Sequence, residues 1–207
     1  MRIFTFILSF YMALNLLSQE NLSFQKPSKE ILDLVDVELA PSVRMDNDKN
    51  NMVLLYRNAY KTIEELSQEE LRLGGLRIDP KTNIGSRVTY YNNIKTKDIS
   101  NQNSKTASIK NVVGLPKNAR LSNFTWSPDQ QKMAFTNTAV SGVEIWVLHI
   151  EKSEAQKLTE AKANANLGDV INWFEDSQSI LVKMVSGNGP QLIDTKTSTP
   201  TGPTITT

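Results

Sequence analysis

Two short segments of this chain are copies of one another 47 positions apart, and that period limits the folds open to it. Asn123-Phe124-Thr125-Trp126-Ser127-Pro128-Asp129 leads into Lys132-Met133-Ala134-Phe135. Val170-Ile171-Asn172-Trp173-Phe174-Glu175-Asp176 leads into Ser179-Ile180-Leu181-Val182. Each copy reads as a hairpin: an extended segment ends at Trp, a turn reverses the chain, and a second strand follows. Pro128 presets a turn dihedral, and Asp129 can accept hydrogen bonds from nearby backbone amides. The second strand is apolar at consecutive positions, the pattern of a strand covered on both faces. Short strands repeating every 40 to 50 residues or so are the signature of propeller blades, where blade stacks on blade.

Between the copies, Val143 to Ile150 and Ala155 to Leu158 supply third and fourth strands, so one four-stranded blade is expected from about Leu121 to Thr159. A fainter earlier copy is Ser42-Val43-Arg44-Met45-Asp46-Asn47-Asp48 followed by Met52 to Leu55, with Met45 in the tryptophan position and an offset of 81. The excess over 47 falls in about residues 60–94. There Ile63, Leu66, Leu71 and Leu73 fit a helical stripe, Ser67-x-x-Glu70 resembles a capping box, and Gly74 can end the helix. The first blade is therefore predicted to carry a small helical insertion, completed by Val88 to Ile99 and Ala107 to Val113. The fold class expected is all-β, a partial β-propeller of about two blades and the start of a third. Residues 19–185 form this incomplete propeller, and the Gly-, Pro- and Thr-rich residues 186–207 read as a linker or a truncated third blade.

The N-terminus is of a different kind. Arg2 precedes an uncharged, mostly apolar run from Ile3 to Leu17, and Ser18-Gln19-Glu20 turns polar. That is the pattern of a secretory signal peptide over residues 1–18, too short to cross a bilayer comfortably. An exported protein, periplasmic or secreted, is expected, with no stable membrane insertion after signal removal. Lys plus Arg number 23 and Asp plus Glu 22, so no basic footprint for nucleic acid is present. The chain has no cysteine and one histidine, which excludes disulfides, thiolate metal sites, cysteine nucleophiles and multi-histidine metal sites. No cofactor is expected.

Three further segments resemble a known family. Glu30-Ile31-Leu32-Asp33-Leu34-Val35-Asp36, Glu69 to Asp79, and Asn83 to Tyr91 are similar to the N-terminal region of glutamyl-endopeptidase-like members of the prolyl oligopeptidase family. Leu121 to Asp129 and Gly142 to Trp146 continue the resemblance, which covers roughly Pro27 to Thr207. Such serine peptidases place a β-propeller in front of a C-terminal α/β-hydrolase domain that carries a Ser, Asp, His triad, and the propeller limits access to the active site. This chain contains no Gly-x-Ser-x-Gly nucleophile elbow, so the resemblance assigns no catalytic residue here. It implies the propeller portion of an exported peptidase, inactive alone, meeting peptide substrate only in the complete protein. The alternative is a non-enzymatic periplasmic propeller that presents its loops to a protein partner.

His149 lies in an apolar strand, facing opposite Trp146, Leu148 and Ile150, and reads as structural rather than as a general base. Asp46 to Asn50 begins like a calcium loop, but Asn51 and Arg57 stand where such a loop needs Gly and Glu, so a hairpin turn is expected. Trp126 and Trp173 recur at the blade period and read as packing elements. Glu64, Glu65, Glu69 and Glu70 read as a solvated helix face. Arg87, in Gly85-Ser86-Arg87, is the one candidate for reaching a substrate cavity.

Overall fold

The computed structural model describes residues 25–100 and 108–187. The signal-peptide segment and the expected linker from residue 188 onward lie outside the described residues. A short helix α1 (Lys29–Val35) belongs to a unit of its own that ends at Val37. Its Lys29 Nζ and Asp33 Oδ2 pair at 3.0 Å across one helical turn.

The described residues of the unit from Glu38 onward are all-β, apart from one helical turn. Strands β1 (Ser42–Met45) and β2 (Asn51–Tyr56) open a first four-stranded sheet. Between β2 and the next strand of that sheet lie the helical turn α2 (Ile63–Leu66) and the strands β3 (Leu71–Leu73), β4 (Leu76–Asp79) and β5 (Ile84–Gly85). Strands β6 (Asn93–Asp98) and β7 (Lys110–Asn111) then complete the first sheet in the order β1-β2-β6-β7. The second sheet is a meander of β8 (Leu121–Trp126), β9 (Lys132–Ala139), β10 (Gly142–His149) and β11 (Glu154–Lys157). Strands β12 (Ile171–Trp173) and β13 (Ile180–Val182) pair as a third sheet, and β3-β4-β5 form a small sheet of their own. Every ladder between these named strands is antiparallel, two isolated bridges (Ile84 with Ala165 and Val113 with Glu154) are parallel, and none of these sheets is closed.

The three copies seen in the sequence share one register. Met45 faces Met52, Trp126 faces Met133 and Trp173 faces Ile180, at offsets of 81 and 47. The turns coincide as well: Asp46 N donates to Asn51 O, Ser127 N to Lys132 O and Phe174 N to Ser179 O, at 3.2, 2.9 and 3.0 Å. Each turn carries one left-handed residue, Lys49 (φ 57°), Gln130 (φ 58°) and Ser177 (φ 54°). One detail departs from the sequence alignment. Asp129 and Asp176 accept amides of their own turns, but in the first copy Asp46 does this, two residues before Asp48. The segment starting at Asp46 is thus a hairpin turn whose buried carboxylate is taken up by Asn50 N at 2.8 Å and Asn51 N at 3.0 Å.

The sheets stack through two apolar layers. Alternate residues of the central sheet, Met133, Phe135, Trp146 and Leu148, enter a cluster with Val53, Leu55 and Ile94 of the first sheet. Their neighbours Ala134, Val143, Ile145 and Val147 enter a second cluster with Val170 and Ile171, with Trp173, Ile180 and Val182 packed against it. Period-two alternation therefore sends opposite faces of β9 and β10 into different cores. That arrangement explains why the strands are apolar at successive positions.

The insertion differs from the predicted helix. The helix ends at Leu66 after one turn, and its capping box is Thr62 with Glu65, not Ser67 with Glu70. Leu71 and Leu73 sit in a hairpin whose two-residue loop, Gly74-Gly75, has φ of 54° and 93°, the left-handed pair that such a loop needs. Ile84 of this small sheet is fully buried in the second cluster, and Ala165 N donates to Asn83 O at 2.9 Å. The insertion thus clamps the far side of the central sheet.

Close approach between segments fixes two glycines. A Cβ at Gly114 would lie 2.4 Å from Ala155 O, and one at Gly142 would lie 2.3 Å from Ala161 O, at φ of 82° and 153°. Gly114→Ala and Gly142→Ala should each lower unfolding stability by about 2 kcal/mol or more, through overlap and backbone strain. Gly74→Asn, at φ 54° with nothing within 4 Å of its Cβ, should change it by less than about 0.5 kcal/mol. Urea titration of the three variants checks the contrast, and equal effects would contradict it.

Candidate functional site

Arg87 follows β5, and the structure places it beside a carboxylate that the sequence reading had assigned to a helix. Glu70 lies just ahead of β3, in the half-buried position where the small sheet meets the loop after β5. Its Oε2 accepts Ser86 Oγ at 2.5 Å, and its Oε1 accepts Arg77 Nη1 at 2.7 Å and Arg72 Nε at 2.9 Å. Arg87 Nε stands 3.8 Å from Oε2. Strand alternation explains the gathering: Arg72 and Arg77 are directly opposed across the hairpin and share one face.

Three guanidiniums around one carboxylate leave a cationic surplus at this surface. Arg72 and Arg87 keep 72% and 69% of their side-chain surface exposed, so both can engage a further group. The Ser86 hydroxyl, aided by Arg72 and Arg77, holds the Glu70 carboxyl down at about 2, against the opposing effect of desolvation. Glu70 therefore stays ionised and keeps the arginines in place at any physiological pH. Of the four glutamates grouped in the sequence, Glu70 is the organising one. Glu65 is spent on the helix cap, and Glu64 is exposed to solvent.

The remaining candidates lie away from this gathering. His149 ends β10 opposite Lys132 and Glu154, on the rim of a polar cleft of about 390 Å³ formed by the hairpin turns. The buried hydroxyls in that cleft, Thr96 Oγ1 and Ser153 Oγ, hydrogen-bond each other at 2.6 Å across the first and second sheets. Trp126 packs on the first cluster and Trp173 on the second, and Trp173 Nε1 donates to Thr125 O at 3.3 Å. Both tryptophans thus pack between sheets. Among the described residues, no helix is long and apolar enough to cross a membrane.

The depressed acidity of Glu70 fixes the sign of a pH effect. A carboxyl held at about 2 when folded and near 4.5 when unfolded contributes stability above pH 4.5, which is lost as pH falls towards 2. Glu70→Gln should therefore lower the thermal midpoint at pH 6, and the gap to the unsubstituted chain should close as the pH is lowered from 4.5. A gap that persists unchanged at low pH would contradict this role.

No family model matches the sequence. The chain is similar to a probable glutamyl endopeptidase, chloroplastic, of Oryza sativa subsp. japonica, at 29% identity over 201 residues, covering 91% of this chain and 21% of that protein. It is likewise similar to the Arabidopsis thaliana protein of the same name, at 25% identity over 174 residues, covering 80% of this chain and 18% of the relative. Among solved structures, Pyrococcus horikoshii acylaminoacyl peptidase aligns with a TM-score of 0.37 and 19% identity, over 72% of this chain and 17% of that one. The chain thus spans about a fifth of the length of the two curated relatives, and both bear the name of a peptidase.

Proposed function

We propose that this chain is the N-terminal β-propeller portion of an exported serine peptidase of the prolyl oligopeptidase family. In this reading it is a gate and scaffold for peptide hydrolysis, and the chemistry belongs to a catalytic domain elsewhere in the complete protein. The observation that carries the reading is the similarity of nearly the whole chain to about a fifth of two glutamyl endopeptidases. The repeated sheets support the propeller: three copies of one hairpin stack face to face through two apolar layers, the packing that blades require. Arg87, held near Glu70 yet mostly exposed, is the proposed contact from this portion to the substrate cavity.

The experiment reads the coding sequence beyond Thr207 and expresses its complete product. That product should react with a serine-directed fluorophosphonate probe and hydrolyse peptides, while residues 19–207 alone should not react. Arg87→Ala in the complete product should raise KM for peptide by roughly three- to tenfold with little change in kcat, the signature of lost uniform binding. A complete product that carries further blades but takes no probe would replace the peptidase reading with that of a binding module.

A further inference from the structure

We propose that a groove on the end of the sheets away from the hairpin turns binds a phosphate-type dianion, free or as a monoester, with Arg120 as its innermost ligand. The groove has a volume of about 550 Å³ and runs between the segment 57–68 and the connection 117–120. Arg57, Lys61, Lys117 and Arg120 line it, against Glu64 and Glu65, so four positive and two negative groups leave a net +2. One of the two carboxylates is already engaged, since Glu65 Oε2 accepts Thr62 N at 2.9 Å in the helix cap.

Among the described residues, none of the four cations forms an ion pair with a carboxylate. By contrast, Arg72, Arg77 and Arg87 all gather at Glu70. Unpaired like charges around one concavity focus a positive potential that a dianion relieves.

Arg120 is set apart from an ordinary surface arginine by how it is held. Its backbone N donates to Asn137 Oδ1 at 3.0 Å, and its carbonyl accepts Thr138 N at 2.9 Å. The guanidinium carbon lies 4.3 Å from the centre of the Tyr90 ring, a contact that orients the planar group. Burial raises the Tyr90 pKa, so its ring stays neutral beside the cation. The Arg120 Nε–H is itself buried and has no hydrogen-bond partner. That donor is closed to solvent, so an oxyanion in the groove would meet the guanidinium through its two Nη groups, whose plane the Tyr90 ring fixes.

Titration calorimetry of the full chain at low ionic strength tests the site, with inorganic phosphate, phenyl phosphate and acetate as probes. Saturable phosphate binding is expected, weakened about tenfold or more by Arg120→Gln and by added salt, and unchanged by Lys162→Gln outside the groove. Lys117→Gln, an exposed change that leaves the packing intact, should weaken it roughly threefold and covers the case in which Arg120→Gln misfolds. Tighter binding of phenyl phosphate than of inorganic phosphate would identify an ester as the ligand, and the reverse order the free anion. Absence of saturation, indifference to both substitutions, or acetate binding as tightly as phosphate would overturn the proposal.

Discussion

Everything in this structure rests on the two-sided burial of β9 and β10. Phe135, fully buried, stacks between Phe124 at 5.5 Å and Trp146 at 6.4 Å on the face toward the first sheet. On the opposite face Ala134, Val143 and Ile145 are equally inaccessible. Most buried polar side chains of this doubly covered pair are drawn into bonds across the sheet, although the Thr138 hydroxyl on β9 finds no hydrogen-bond partner among the described residues. Thr136 Oγ1 and Ser122 Oγ share a hydrogen bond at 2.9 Å, while Asn137 Nδ2 and Trp146 Nε1 both donate to Glu144 Oε2 at 2.9 Å. Burial works against the ionised Glu144, yet these donors prevail and its acidity is net strengthened.

Such a sheet needs neighbours, and the insertion in the first sheet supplies part of one. Ile84 and the partly buried Val88 and Tyr90 reach past the first sheet into the second apolar layer. Paired backbone bonds between Tyr91 and Leu121, at 2.9 and 2.8 Å, then return the chain to the start of the central sheet. The same route holds Tyr90 beside Arg120 and creates the groove, so the fold's main clamp and its cationic groove share residues. The Glu70 gathering sits on the same insertion, which makes this end of the sheets the chemically differentiated one. The other end is built of three nearly identical turns.

Much of this was legible in the sequence because repetition fixes register. The offsets of 81 and 47 located three hairpins residue by residue, and the consecutive apolar positions of β9 announced two covered faces. The insertion was harder. Ile63, Leu66, Leu71 and Leu73 do fit a helical period, but Leu71-Arg72-Leu73 and Leu76-Arg77-Ile78 also alternate with period two around Gly74-Gly75. The glycine pair was the deciding signal, since it permits the left-handed loop of a two-residue hairpin. Glu70 was missed because Ser67-x-x-Glu70 imitates a capping box, whereas its strongest partner, Ser86, is 16 residues away. Spacing along one helix face carries no trace of a contact made across a small sheet. The groove was invisible for the same reason: its walls lie far apart in the chain and are joined by contacts such as the Tyr91–Leu121 pairing, the Asn92 N to Tyr56 O bond and the stacking of Arg120 on Tyr90.

Native-state hydrogen exchange on the chain measures the two-sided burial directly, because amide protection follows the free energy of local opening. The amides of β9 and β10 should exchange slowest, those of β8 and β11 faster, and those of the edge strands β1 and β13 fastest among the repeated strands, since β1 is exposed along its length and Leu181 on β13 remains 60% exposed. Protection that is equal across the three repeated sheets, or greatest in β1 and β2, would contradict an architecture built outward from one central strand pair.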